Sequence, residues 1–326
     1  MKDTDRQTRS HLMQKFQERG FHPRHDLGQN FLIDLNLLDY VVLQAEIEPN
    51  DVVLEIGAGT GSMTTSLARE AGAVVSVEID ARMHALASEA TAGYSNVTLL
   101  HCDVLKNKNR FEPLVLETIE SRLQTFPESR LKLVANLPYS VATPVVSNLV
   151  ETELPWSRMV ITIQWELAER MRALPGTSDY GALSVWLQAQ SHVKIMKKLG
   201  PTVFWPRPQV DSAIVRLVAA PELREQIGDR AFFHDFVRRL FHHRRKNVRS
   251  VLSGMYRKQL SKPEVDALLQ QQEIPEGTRA EKLEVAKLVQ LSRMFEEAVK
   301  ARGGQKKVAE SGDELPEESG EGDTPQ

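Results

Sequence analysis

The chain holds one cysteine, Cys102, among 326 residues. That excludes an intramolecular disulfide and any cysteine cluster for zinc. Its nine histidines are scattered without a carboxylate or thiol partner at ligand spacing, so no bound metal is expected. No apolar run approaches the roughly 20 residues needed to span a bilayer. The opening Met1-Lys2-Asp3-Thr4-Asp5-Arg6 leads into polar sequence and lacks the apolar segment of a secretory signal. A cytoplasmic protein without a membrane partner is expected, and the lack of a long exposed apolar repeat points to a monomer. With 41% hydrophobic residues the chain can bury a full core, and its length suits a large domain followed by a small one.

Acid is missing from one stretch and concentrated in another. Glu310 to Gln326 carries seven acids and no Lys or Arg, so the net charge of −3 becomes −3 + 7 = +4 for residues 1–309. This tail, rich in Gly, Ser and Pro, reads as a disordered appendage. Arg238 to Lys258 contains eight Lys or Arg and no acid. The spacing of Phe236, Leu240, Val248, Val251 and Leu252 predicts a helix with an apolar face and a cationic one. Contact with nucleic-acid phosphates is the functional reading of that charge, and a solvated helix face is the plain one.

In the N-terminal half, short apolar runs alternate with helical patterns. Strands are predicted at Asp51–Ile56, Ala73–Val77, Val97–His101 and Leu131–Ala135, with helices at Ser62–Arg69 and Arg82–Thr91. Alternation of this kind builds an α/β fold with a parallel sheet, whose ligands sit beyond the carboxyl ends of the strands. The residues after each strand are therefore the ones to inspect. Gly57-Ala58-Gly59-Thr60-Gly61 follows the first strand; its spacing is G-x-G-x-G, unlike the G-x-G-x-x-G of dinucleotide sites, and suits a compact ligand without a pyrophosphate. Glu78 ends the second strand, about 20 positions on, where an acid can accept from ribose hydroxyls. Asp103 follows the third and could accept from an adenine amino group.

The fourth strand ends in Asn136-Leu137-Pro138-Tyr139. An Asn carbonyl and a backbone carbonyl can both accept hydrogens from an exocyclic amine, Pro138 fixes the bend, and the Tyr ring offers a face to a flipped base. The plain alternative is a strand-to-helix turn with a capping Asn. Four polar signals at four successive strand ends favour methylation of an amino group.

These motifs resemble the ribosomal RNA adenine dimethyltransferase family, whose bacterial members modify small-subunit RNA. The resemblance runs from Leu27 to about Leu291. It rests on Leu27-Gly28-Gln29-Asn30-Phe31-Leu32, the glycine turn, Glu78, Asp103, and Asn136 to Tyr139 followed by Ala142-Thr143-Pro144. It continues through Gln164 to Arg170, Pro175 to Val185, Phe204 to Ser212, Arg244-Arg245-Lys246 and Arg279-Ala280-Glu281.

The resemblance implies a Rossmann-like domain binding S-adenosylmethionine and a small helical domain. The boundaries expected are an N-terminal extension over 1–22, a methyltransferase domain over 23–219, an rRNA-binding helical domain over 220–302 and a disordered acidic tail over 303–326. By the same resemblance Asn30, Leu32, Gly57, Glu78, Asp103 and Asn136 would bind the cofactor, with Gln29, Glu55 and Ala58 as further contacts. Asn136, Leu137, Pro138 and Tyr139 would form the catalytic turn. Tyr139 and Phe204 would stack on the target base, and Arg244, Arg245 and Lys246 would meet RNA.

The chain departs from the family in having His25-Asp26, with only Arg24 positive, before Leu-Gly-Gln. It also has a long stretch from Lys106 to Arg130, read as an extra surface helix. The expected reaction is N6,N6-dimethylation of two adjacent adenosines in a hairpin near the 3′ end of small-subunit (16S) rRNA, within a pre-30S particle. A large-subunit methyltransferase conferring antibiotic resistance and an assembly factor that acts chiefly by binding remain as alternatives. A nicotinamide-dependent oxidoreductase is disfavoured by the glycine spacing.

Overall fold

The computed structural model describes residues 9–24 and 27–303. His25 and Asp26, residues 1–8 and the acidic tail beyond residue 303 lie outside the described residues, and with them the expectations that concern them.

The elements in chain order are α1 (Arg9–Glu18), β1 (Phe31–Leu32), α2 (Leu35–Gln44), β2 (Val52–Ile56), α3 (Ser62–Glu70), β3 (Ala73–Glu78), α4 (Ala81–Thr91), β4 (Val97–His101), β5 (Leu105–Asn107) and β6 (Arg110–Phe111). They continue with α5 (Pro113–Leu123), β7 (Leu131–Asn136), α6 (Tyr139–Glu151), β8 (Trp156–Gln164), α7 (Trp165–Arg172), α8 (Ala182–Gln188), β9 (Ser191–Leu199), β10 (Phe204–Trp205) and β11 (Ser212–Ala219). The helices α9 (Pro221–Arg224), α10 (Arg230–His242), α11 (Val248–Met255), α12 (Lys262–Gln271) and α13 (Val285–Ala301) complete the described residues.

Seven strands form one sheet in the order β4-β3-β2-β7-β8-β11-β9. From β4 to β8 every pairing is parallel, while β11 runs antiparallel to both β8 and β9. The expected mixed α/β fold is thus present, and all four predicted strands occur at their predicted places. Alternation explains the layering. Val52, Leu54 and Ile56 point to one apolar layer, shared with buried residues of α5, α6 and α8, whereas Val53 faces the other, shared with α2 and α3. Strands covered on both faces read as continuous apolar runs, which is why β2 is buried along its whole length.

Two local devices fix the crossovers near the ligand edge. Asp80 caps α4, its carboxylate accepting from the backbone N–H of Arg82 at 2.8 Å and of Met83 at 3.3 Å. Gly61 opens α3 at φ +79°, and a Cβ there would lie 2.9 Å from Ala90 Cβ and 3.0 Å from Ala87 Cα. Only glycine lets α3 approach α4 so closely in that backbone conformation.

Two expectations require correction. The stretch after Asp103 carries no extra surface helix. Its helix α5 buries Val115 and Ile119 against the sheet and is the crossover from β4 to β7, preceded by the small β5–β6 ribbon. The cationic helix is two helices, because Asn247 accepts from Ser250 N–H at 2.7 Å and starts α11 afresh after α10 has ended at His242. The buried faces of α10, α11 and α13 join the same apolar layer that contains α6 and α8, so the C-terminal helices pack on the sheet's helical cover.

Candidate active site

At the carboxyl ends of β2, β3, β4 and β7 the backbone opens into a cavity of about 200 Å³. Asn30, Gly57, Glu78, Asp103, Asn136, Leu137, Pro138 and Tyr139, eight residues singled out from sequence, line it together. Leu32 borders a smaller recess beside it, on the far side of Gly57 and Gly59.

Each polar group is held by its own element. Gly57 adopts φ +82°, and a Cβ there would lie 3.6 Å from Pro138 Cδ, so the glycine turn and the Asn136–Tyr139 turn meet. Glu78 accepts from Gly59 N–H at 2.8 Å and from Asp80 N–H at 2.9 Å. Burial nonetheless holds its carboxyl above the usual range, with the two backbone donors opposing the rise. One Asp103 oxygen accepts from Leu105 N–H at 2.9 Å, which turns the strand end and leaves the other oxygen uncommitted to that turn.

The Asn136–Tyr139 turn is oriented by a chain of amides. Asn30 Nδ2 donates to Gly28 O at 3.1 Å, and Asn136 Nδ2 donates to Asn30 O at 2.7 Å. With its nitrogen committed, Asn136 offers its side-chain carbonyl to the cavity as an acceptor. The Leu137 N–H bonds Thr162 O at 3.1 Å, tying the turn to β8. Gln29 Nε2 reaches Asp80 at 3.2 Å, so segment 27–31 is anchored to the start of α4 as well as to β7.

Tyr139 is half-buried, and its hydroxyl lies 2.7 Å from Ser212 Oγ on β11. Burial raises the phenol above its ordinary value, with the Ser212 contact opposing. Glu55 faces inward: Thr64 and Ser76 hydroxyls donate to one of its oxygens at 2.5 and 2.6 Å, and burial pushes its carboxyl up to about 7. It borders the smaller recess, not the main cavity.

Other expected contacts lie elsewhere. Phe204 is 2% exposed within the α2–α3 apolar layer, so in this conformation no face of its ring is open to a base. Arg244, Arg245 and Lys246 lie in the turn between α10 and α11, not on a helix, and do not line the cavity. Arg244 is engaged in packing. It pairs with Glu281 at 3.2 Å and donates to Ser178 O at 3.0 Å, while Gly176 N–H donates to Glu281 O at 2.7 Å. Acids from outside the 238–258 stretch neutralise other members: Asp235 bonds both Arg238 and Arg239, and Asp266 holds Arg249 through two hydrogen bonds. Asp235 lies one turn earlier on α10, just outside the counted stretch, whereas Asp266 is brought to Arg249 from α12 by packing.

Sequence reasoning also missed residues. Ile79 and Val104, which directly follow the two acids, supply apolar walls, and Ile79 is 46% exposed although large and apolar. An apolar residue placed after a strand-end acid was the available signal. Ser212 could not be connected with Tyr139 before the pairing of β11 with β8 was known.

Acceptors at two strand ends, apolar walls between them and a close-approach glycine suit an adenosine-like ligand with a short polar extension. A family model described as ribosomal RNA adenine dimethylase matches residues 20–297. The chain belongs to this family. The ribosomal RNA small subunit methyltransferase A of Moorella thermoacetica is 40% identical over 239 residues, 73% of this chain and 81% of the relative. The protein of that name from Latilactobacillus sakei is 38% identical over 279 residues, 85% and 91% of the two chains. A dimethyladenosine transferase structure from Plasmodium falciparum superposes with a TM-score of 0.67 at 24% identity, covering 81% of this chain and 97% of that one; it is similar in fold. A ribosomal RNA adenine methyltransferase activity follows from membership of the dimethylase family.

Proposed function

We propose that this chain converts two adjacent adenosines in a hairpin near the 3′ end of small-subunit rRNA to N6,N6-dimethyladenosine, with S-adenosylmethionine as methyl donor. It would act as a cytoplasmic monomer on the pre-30S particle. The observation that carries the reading is the Asn136 amide, whose nitrogen is committed to Asn30 O at 2.7 Å so that its carbonyl is left for the target amine. Support for the small subunit comes from the names of relatives at 38–40% identity.

When bound, S-adenosylmethionine supplies an electrophilic methyl group. Glu78 would accept from its ribose hydroxyls and Asp103 from its adenine amine, between Ile79 and Val104, while Asn30 and Gly57 would border its amino-acid end and Leu32 would back the glycine turn. The target N6 lone pair is delocalised into the adenine ring, which makes it a poor nucleophile. Acceptance of its two N–H hydrogens by Asn136 Oδ1 and Leu137 O would hold the amine near tetrahedral geometry and localise that lone pair. The Tyr139 ring, steadied by Ser212, would stack on the flipped base. Orientation and electrostatics then carry the reaction, since the proton can leave after nitrogen becomes cationic. For the second methylation the first methyl must find room beside Asn136. Residues 23–219 would form the catalytic unit and 220–302 the RNA-facing helical unit, with Arg245 and Lys246 exposed at its surface.

Transfer of labelled methyl to unmethylated small subunits, with large subunits and Asn136→Ala protein in parallel, tests the reading. Dimethyladenosine in the small subunit alone is the expected product. Label only in the large subunit would refute the substrate. Subunit binding without any label would favour a factor that acts by binding.

A further inference from the structure

Strand direction divides the ligand edge of the sheet into two halves. The cavity occupies the β4-β3-β2 half and reaches across to β7. On the other side, β8 is parallel to β7, β11 reverses and β9 reverses again. The carboxyl ends of β7, β8 and β9 and the start of β11 therefore share one rim. The register puts Asn136 beside Thr162, and Ser212 between Gln164 and Leu199. From β7 to β9 this rim spans three strand spacings, about 15 Å.

The residues along it are rings and cations. Tyr139 stands at the cavity and bonds Ser212. Trp165 follows Gln164 directly, is half-buried, and its backbone N–H donates to Asp211 O at 2.9 Å. Lys198 Nζ lies 4.6 Å from the centre of the Trp165 ring and 2.9 Å from the Asp211 carboxylate. Lys197 follows on the opposite face of the strand, over Tyr40 at 5.8 Å. Arg207 is exposed on the loop that returns to Ser212. Acids adjacent in sequence to the residues named are Asp211, Glu166 and Asp39. The Lys198 side chain is 51% exposed and that of Asp211 39% exposed. A pair so solvated contributes little to folding and leaves the ammonium available to another anion.

We infer that this rim is a nucleotide-binding subsite for the single strand flanking the target adenosine, with the Trp165 ring as stacking platform for a neighbouring base and Lys197 and Lys198 as phosphate contacts. Aromatic faces interleaved with cations are what single-stranded nucleic acid needs, because every base has a π-face and every linkage a charge. The subsite is separate from the turn that carries Arg245 and Lys246 and lies next to the catalytic turn. It positions the substrate without touching the reacting nitrogen. The inference rests on the proposed rRNA substrate.

Steady-state methylation of unmethylated small subunits by the full chain tests it, using Trp165→Phe, Trp165→Leu and the double variant Lys197→Ala/Lys198→Ala. Calorimetric binding of S-adenosylmethionine reports whether each variant is intact. Loss of one stacked base corresponds to roughly 5- to 150-fold in affinity. Trp165→Leu, which keeps the apolar packing, is expected to raise KM for subunits by that factor with kcat and cofactor affinity little changed, and Trp165→Phe to restore most of it. The double lysine variant is expected to flatten the salt dependence of subunit binding by about 0.7 in log–log slope for each phosphate no longer neutralised. An unchanged KM in Trp165→Leu overturns the subsite, as does an equal rise in Trp165→Phe. Wild-type protein that methylates no small subunits would overturn the substrate reading itself; activity in the wild type with no effect in these variants would overturn the subsite alone.

Discussion

Substituting Glu55 by Gln should remove a pH dependence of stability that the wild-type chain carries. Glu55 is 1% exposed on the central strand β2, receives hydroxyl hydrogen bonds from Thr64 and Ser76, and is pushed by burial to about 7 from an ordinary value of 4.5. The folded chain therefore keeps a proton on Glu55 over a range where the unfolded chain has already released it. Between pH 4.5 and 7 the folded state binds more protons, so raising the pH destabilises it. The full loss is about 3 kcal/mol, 2.5 pH units at 1.36 kcal/mol each, of which roughly 2.5 kcal/mol falls between pH 5 and pH 8. A Gln of the same shape can accept the same two hydroxyl bonds and has no proton to lose. Urea unfolding of both proteins at pH 5, 6, 7 and 8 isolates the group, because other titrations cancel in the difference. The variant should gain about 2.5 kcal/mol on the wild type across that range. Parallel stability curves would refute the argument, since they would mean that Glu55 is ionised in the folded chain throughout, or that its site is wetter than its burial implies.

Asn136→Ala removes the amine acceptor and should lower kcat roughly 10²- to 10³-fold, the cost of deleting one preorganised hydrogen-bonding group, with subunit binding retained in a pull-down at fixed salt. Arg244→Ala should cost about 1 kcal/mol in urea unfolding, discounted for its 46% side-chain exposure, and leave the salt slope of subunit binding unchanged. The double variant Arg245→Ala/Lys246→Ala should do the reverse, and equal slopes for both proteins would remove the turn from the RNA interface. Lys132→Met strands Asp51, its partner at 2.6 Å with side chains 7% and 4% exposed, and should destabilise by about 3–5 kcal/mol in the same unfolding assay.

How much can be read from the sequence depends on whether the signal is local. Strand ends that carry function are local, because a parallel sheet delivers every β-to-α turn to one edge. Gly57, Glu78, Asp103 and Asn136 can thus be brought to a single cavity from periodicity alone, and the family resemblance adds Asn30. Helix identity fails where one residue decides it, as at Asn247, whose capping bond splits an apolar pattern that runs unbroken through Phe236, Leu240 and Val251. Charge fails for a different reason. Along the chain Arg244 looks like a phosphate contact because no acid lies near it, yet Glu281 is brought to it from 37 positions away. Phe204 shows the same limit for an aromatic residue, since its burial is set by the β1–β10 ribbon that pairs it with Leu32.

The antiparallel end of the sheet gives this edge room for the two ligands that the proposed reaction requires. In a wholly parallel sheet each strand end is followed by a helix, and the edge is a row of separate turns. Here β11 enters the edge at Ser212 instead of leaving it, so its first hydroxyl meets Tyr139 from β7, and the next strand returns Lys197 and Lys198 to the same rim. In the proposed reading a cofactor half built from acids and glycines would thereby adjoin a target half built from rings and cations, with Asn136 at the junction. Asn136 is bonded to Asn30 on the cofactor side and paired through β8 to the strand that leads into Trp165. One residue at the boundary can accept from the target amine only while both neighbours hold it in place. Its carbonyl direction is consequently set by segment 27–31, which Gln29 anchors to Asp80. Loosening that segment, for instance by Gln29→Ala, should lower kcat more than it raises KM for subunits, although Gln29 lies on the opposite side of Asn136 from the target strand.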